Sequence, residues 1–287
     1  MLAAMTVHHR SHRQGAGTAR RVLIGLAVVA AAVVLGVPTG IVFAHAFGKG
    51  VEGWWKAVSA PEALHAIYLS LLTVAVVVPI NAVYGLSVAW AVTKFRWQGK
   101  KWLVSLIEVP FSVSPIVAGV ATLMVYGSSG LVGEWLMDHD IKVMFAVPGI
   151  ILATLFVTSP FVAREVMPLM QLQGTDEEEA AQVLGAGGFR TFLRVTLPNV
   201  KWALFYGLIL CAARSLGEFG AVSVVSGHIR GETNTLPLYI DLLYHDYDSS
   251  GAFAAASVLT LLALVTVVLK AVVEGRRDAA HDDEALS

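Results

Sequence analysis

Charge is scarce in this chain of 287 residues: Asp, Glu, Lys and Arg make up 14% of it, hydrophobic residues 56%, and mean hydropathy is +0.69. A soluble globular domain carries about 25% charged residues, so this chain cannot build an ordinary water-facing shell and needs lipid as part of its solvent. Net charge is −1, which leaves no basic surplus for gripping nucleic acid. Cys211 is the single cysteine and sits in an apolar run, which excludes an intrachain disulfide or a cysteine-rich metal site; it reads as a packing residue. Also missing are a G-x-x-x-x-G-K-[ST] loop, an H-E-x-x-H pair and a G-x-S-x-G elbow. The chain therefore shows no ATP site and no catalytic constellation of its own. His8, His9 and His12 cluster in a polar tail, read here as a solvated segment rather than a metal site.

What is present is a set of long apolar runs. A membrane-crossing helix needs about 20 mostly apolar residues, and six stretches qualify: 22–47, 64–92, 102–126, 143–163, 202–226 and 251–273. The expected fold class is thus an all-α membrane protein with six transmembrane helices. Several contain proline, at Pro38, Pro79, Pro110, Pro115, Pro148 and Pro160, so kinks are expected. The first run follows Arg20-Arg21 as a signal peptide would, but its apolar length far exceeds an h-region; it is read as a retained helix.

Lys and Arg set the orientation. They gather before the first run (Arg10, Arg13, Arg20, Arg21), in the second connection (Lys94, Arg96, Lys100, Lys101), in the fourth (Arg164, Arg190, Arg194, Lys201) and at the end (Lys270, Arg276, Arg277). The alternate connections hold only Lys49, Lys56, Lys142 and Arg230, so the positive-inside rule puts both termini in the cytoplasm. Trp54, Trp55, Trp97, Trp102, Trp135 and Trp202 fall near run ends, as interfacial aromatics do.

The fourth connection, 164–201, is the polar exception. Thr175 is placed to cap a helix whose first turn, Asp176 to Glu179, is acidic and so suits the positive end of the helix dipole. That helix should run to about Leu184. Gly185, Gly187 and Gly188 should break it, a second short helix should span 189–195, and Pro198 should stop the chain before the fifth run. Ala180 and Ala181 keep one side slim enough for close approach, and Glu179 offers a charge to a basic partner.

Charges inside apolar runs cost about 2.5–3.5 kcal/mol each unless paired or wetted. Arg214 and Glu218, four residues apart, can neutralise each other on one helical face. They form either a structural ion pair or the lining of a water-filled path in which Arg214 meets an anion. Counted from Trp202, Arg214 lies about 18 Å along the helix, near the bilayer centre. Glu108 reads as interfacial, and Asn81 as satisfying backbone near Pro79. Ser112, Ser114, Thr158, Ser159, Ser215 and Ser223 can either line a polar path or bond a nearby carbonyl.

Glu179-Ala180-Ala181, three residues, Gly185, nine residues, then Val195-Thr196-Leu197-Pro198 resembles the EAA loop by which permease subunits of ABC importers grip their ATPase. Val195 stands where isoleucine is usual. Arg214-Ser215-Leu216-Gly217-Glu218-Phe219-Gly220-Ala221 is similar to a stretch of oxyanion import permeases. The segments 227–238, 242–247, 109–119 and 156–165 point to the W-type permease of sulfate/thiosulfate importers. The likeness covers roughly 60–273 and gives no role to the first run or the tails.

The resemblance implies a type I ABC importer permease fold in the bacterial inner membrane. Its boundaries are an N-terminal tail 1–21, a first helix and outer loop 22–60, a permease domain 61–273 and a C-terminal tail 274–287. It implies an ATPase subunit dimer that alone holds ATP and Mg, a T-type permease as the other half of a heterodimer, and a periplasmic sulfate-binding protein docked on 227–250. No cofactor is then bound by this chain. Glu179, Ala180, Ala181, Gly185, Val195, Leu197 and Pro198 would couple to the ATPase; Arg214, Ser215, Glu218, Ser112 and Ser114 would line the anion path. Molybdate or tungstate remains an alternative substrate, and an ion-coupled secondary transporter an alternative class, although only Glu218 offers it a carboxylate deep in a run.

Overall fold

The computed structural model describes the backbone of residues 11–286 and the side chains of 20–275, so the tail histidines His8, His9 and His12, with Arg10, Arg13, Arg276 and Arg277, lie outside the described side chains. All regular structure among the described residues is helical. Helix α1 (Ser11–Ala31) passes through a π-helical turn, Ala32–Gly36, into α2 (Val37–Ala46), and a short α3 (Gly50–Val58) follows. Helix α4 (Pro61–Lys94) is one long span.

Two of the six expected spans are not single helices. The third is α5 (Lys100–Ser112) and α6 (Pro115–Tyr126), bent by 111° at the break between them. Pro115 disfavours helical backbone at Ser114, and Ser114 is extended at φ −58°, ψ 137°. The fifth expected span stops at Leu216, ten residues early, and a separate short helix, α12 (Gly220–Val225), carries the rest. Apolar residues continue on both sides of each break; Pro115 marks the first, and Arg214, Gly217, Glu218 and Gly220 mark the second.

Between these lie α7 (Gly133–Asp138), α8 (Val147–Gln173), α9 (Asp176–Val183), α10 (Gly188–Thr191) and α11 (Leu197–Leu216); α13 (Leu236–His245) and α14 (Ser249–Leu286) follow α12. Pro198 does not stop the chain. A π-helical turn, Phe192–Thr196, joins α10 to α11 in one span, Gly188–Leu216. Both π-helical turns come two residues before a proline, Pro38 or Pro198, where a widened turn relieves the ring's clash with the carbonyl four residues back.

Helix α8 is the axis of the bundle, the most buried of the spans, and packs on α4, α5, α6, α11 and α12. Glycine sets the closest crossings: a methyl at Gly85 of α4 would sit 2.7 Å from Val162 Cβ, and one at Gly207 of α11 would sit 3.1 Å from Val162 Cα. In lipid, packing of this kind replaces hydrophobic driving force between helices. At the same level Asn81 Nδ2 donates to Thr158 Oγ1 at 2.7 Å and reaches Cys211 Sγ at 3.5 Å, joining α4, α8 and α11. Asn81 thus ties helices together rather than serving the backbone near Pro79.

Candidate coupling loop and transmembrane path

Helix α8 runs on to Gln173, well into the expected polar connection, and Gly174 turns the chain with φ +67°. The eight residues of α9 then form as expected, none of them buried. Thr175 does not cap it: its hydroxyl donates to Glu179 Oε1 at 2.8 Å and makes no bond to the first-turn amides. The far end closes as a Schellman motif, with Ala186 N–H on Ala181 O at 3.0 Å and Gly185 N–H on Gln182 O at 2.9 Å. That motif needs a left-handed residue, and Gly185 supplies it at φ +87°.

The acidic turn is divided in its work. Glu178 pairs with Lys94 at 2.7 Å, both side chains nearly sealed from solvent, and also accepts from Thr196 Oγ1 at 3.0 Å. Glu177 accepts from Asn199, and Lys94 donates to Gly174 O. Glu179, by contrast, points outward with only Thr175 as partner, beside exposed Ala180. Val183, Leu184 and Phe189 are 88%, 88% and 74% exposed, an apolar patch on an otherwise polar loop. Val195 and Leu197 are half-buried at the root of α11, and Pro198 is exposed. A cavity of about 320 Å³ separates this loop from the end of α4, lined by Trp90, Lys94, Glu178, Gln182, Thr191 and Phe192. Sequence reading missed Lys94, Glu178 and Thr196 because the contact spans 84 positions and leaves no local pattern.

Arg214 and Glu218 do pair, Nη1 to Oε2 at 2.7 Å, but not on one helix. Arg214 is in the last turn of α11, where a cation suits the dipole. It therefore sits at a helix end rather than midway along one. Glu218 lies in the break and accepts from Ala221 N–H at 2.9 Å, closing the first turn of α12. Its carboxylate is 1% exposed, while the guanidinium side chain is 31% exposed and keeps further N–H groups free for another acceptor.

The two helix breaks meet here: a methyl at Gly220 would touch Pro115 Cβ at 3.0 Å, and one at Gly119 would strike Ala221 O at 2.6 Å. Ser112 and Ser114 are exposed beside that junction. The hydroxyls of Thr158, Ser159, Ser215 and Ser223 instead donate to carbonyls three or four residues back. Of the polar residues expected on the path, Ser112, Ser114 and Arg214 are thus the ones with free donors.

The family follows from the comparison that spans these elements. The sequence pattern of binding-protein-dependent transport system inner membrane components matches residues 81–278, α4 to α14, including both helix breaks and the α9 loop. The chain belongs to that family. The sulfate transport system permease protein CysW of Escherichia coli (strain K12) is 49% identical over 254 residues, 88% of this chain and 87% of that one. The sulfate transport system permease protein CysT of the same organism is 36% identical over 234 residues, 79% and 83% of the two chains. A solved bacterial alginate ABC transporter, in complex with alginate pentasaccharide-bound periplasmic protein, superposes with a TM-score of 0.71 at 15% identity over 92% of this chain and 96% of that one. At that identity the likeness establishes fold alone, that of a type I ABC importer permease; the family match, with the apolar helices, makes the chain a multi-pass inner membrane protein.

Proposed function

We propose that this chain is the W-type permease subunit of an ATP-driven bacterial importer of sulfate and thiosulfate, and forms half of the anion pathway. The observation that carries the reading is the pinned α9 with Glu179, Val183 and Leu184 projecting from it, in a chain 49% identical to a sulfate permease. In this reading α9 faces the cytoplasm, as the distribution of Lys and Arg requires, and seats in a cleft of a separate ATPase dimer that holds ATP and Mg. The small residues Ala180 and Ala181 allow the backbone close, Glu179 meets a basic side chain, and Leu184 fills an apolar pocket. Nucleotide-driven closure of the ATPase then rocks the spans as a unit.

The partner permease is a CysT-like chain. Support comes from the first span, Arg20–Ala46, whose most apolar stretch buries nothing inside this subunit. Its outer end alone is held, by His45 stacked on Phe253 at 4.8 Å. Ala32, Gly36, Gly40 and Ala44 recur every fourth residue along it, a seam suited to close helix contact. The segment 227–250, ordered by His65 on Glu232 O at 3.1 Å and by the Arg230–Asp246 pair, faces the periplasmic sulfate-binding protein.

Sulfate passes the junction of the two helix breaks. Dehydrating a dianion in a low-dielectric site is very costly, so the path must hold it weakly. Arg214 fits that need: Glu218 cancels most of its charge, yet its free N–H groups and the Ser112 and Ser114 hydroxyls can serve a passing oxyanion. Radiolabelled sulfate uptake in a strain lacking this chain, restored by the chain and competed with thiosulfate and molybdate, tests the reading. Competition by thiosulfate and not molybdate is expected; molybdate uptake lost in place of sulfate uptake would refute it.

A further inference from the structure

Helix α9 has no buried residue, yet it holds a fixed place against the bundle. The chain on both sides of it is glycine: Gly174 and Gly185 have positive φ, and a methyl at Gly174, Gly185, Gly187 or Gly188 would meet nothing within 4 Å. Neither packing nor backbone stiffness at those points keeps α9 from swinging. Polar contacts must do so: Asn199 at the root of α11 bonds Glu177, and the contacts that reach α4 and α8 converge on one group. The Lys94 ammonium, on the last residue of α4, takes the Glu178 carboxylate of α9 at 2.7 Å and the Gly174 carbonyl that ends α8. Thr196, at the root of α11, adds a second bond to the same Glu178 oxygen at 3.0 Å. With side chains 8% and 13% exposed, the pair is shielded from salt and water far better than a surface bridge.

We propose that Lys94 is a positioning residue for transport: with Glu178 it yokes α9 to α4 and α8, so that force arriving at α9 moves the spans instead of swinging a loop on glycine hinges. The direction of transmission follows from the packing. Helix α4 crosses α8 at Gly85 with no room for a methyl, and α8 is the axis on which α5, α6, α11 and α12 also rest. A displacement of the α4 end therefore reaches the bundle core at once. Without the yoke, α9 still docks and the ATPase still turns over, but the motion is lost at Gly174 and Gly185. This inference rests on the reading of α9 as the ATPase-docking element.

Two measurements separate the yoke from that reading. In proteoliposomes holding the whole importer, Lys94→Met should lower sulfate moved per ATP hydrolysed about tenfold, within the usual range of inter-site coupling, and Lys94→Arg should keep the ratio. In the full chain alone in lipid nanodiscs, spin labels on cysteines placed at Leu172 and Val183, both exposed, report the α8–α9 distance; buried Cys211 stays in place. One narrow distribution is expected for the native pair and a broad one for Lys94→Met. Should that variant not reach the membrane, Glu178→Gln replaces it, since it removes the charge and keeps the shape. An unchanged narrow distribution overturns the yoke, and a broad distribution with an undiminished transport ratio overturns its role in transmission. Normal transport by Leu184→Asp would instead refute the docking of α9, and the label widths would then decide the yoke by themselves.

Discussion

Two ion pairs with a largely buried carboxylate, Lys94–Glu178 and Arg214–Glu218, are built to opposite ends. Lys94–Glu178 joins positions 84 apart, both side chains are nearly sealed, and a third group, Thr196, donates to the same carboxylate oxygen. Arg214–Glu218 joins neighbours four apart; its carboxylate is buried but Oε2 lacks an aligned donor, and its guanidinium is partly exposed. The first is a fastener, with the ammonium and one carboxylate oxygen each engaged twice inside the protein. The second holds part of its capacity in reserve. In the proposed reading, the same chemistry serves shape where both charges are sealed and traffic where one is exposed.

The comparison breaks most visibly at the knob that the fastener holds. Glu179→Lys reverses an exposed acid of α9 that makes no tie to the bundle, and sulfate uptake by cells should fall about 100-fold while the chain stays in the membrane, the scale of a lost charge pair at an interface. Normal uptake by that variant would remove the division of labour within the acidic turn. Next in size, Glu218→Ala leaves Arg214 without its carboxylate and α12 without its first-turn acceptor. Thermal unfolding in detergent should show a loss of about 2–3 kcal/mol, below the full cost of stripping a buried pair because Arg214 is partly wetted.

Arg214→Lys sharpens the contrast, because it keeps the charge beside Glu218 and gives up the planar fork. Uptake should drop about tenfold with little change in melting temperature; a large melting shift with transport intact would make this pair a second fastener. The smallest effect belongs to Thr196→Val, which removes one bond to Glu178 while Lys94 remains. It should cost about 1 kcal/mol, seen as faster amide exchange in α9 and not in α8.

Much of this was legible in the sequence, and the parts that were not share a cause. The apolar runs and the acidic turn, closed off at Gly185, announce themselves through composition and spacing, because each rests on interactions within a few residues. Thr175 went elsewhere, to Glu179, since whether a hydroxyl accepts from a first-turn amide or donates to a nearby carboxylate is decided by geometry the sequence does not carry. The breaks at Ser112–Pro115 and Gly217–Gly220 lie inside runs apolar enough overall to span; Pro115 reads as a kink, and Arg214 and Glu218 read as a pair within one helix. Lys94 looked like one more positive charge at a span end; its partner lies across the fold, as do the Asn81 contacts to Thr158 and Cys211. Local chemistry was readable, and long-range pairing was not.

The central claim is that this permease moves sulfate only when a nucleotide-hydrolysing partner acts on α9. The direct test is radiolabelled sulfate accumulation in proteoliposomes holding this chain, a CysT-like permease, the ATPase and the loaded binding protein, with ATP supplied on the α9 side. Accumulation against a gradient that requires ATP and vanishes when the ATPase is omitted is the result expected; uphill uptake by the permease chains without ATPase or nucleotide would contradict the account.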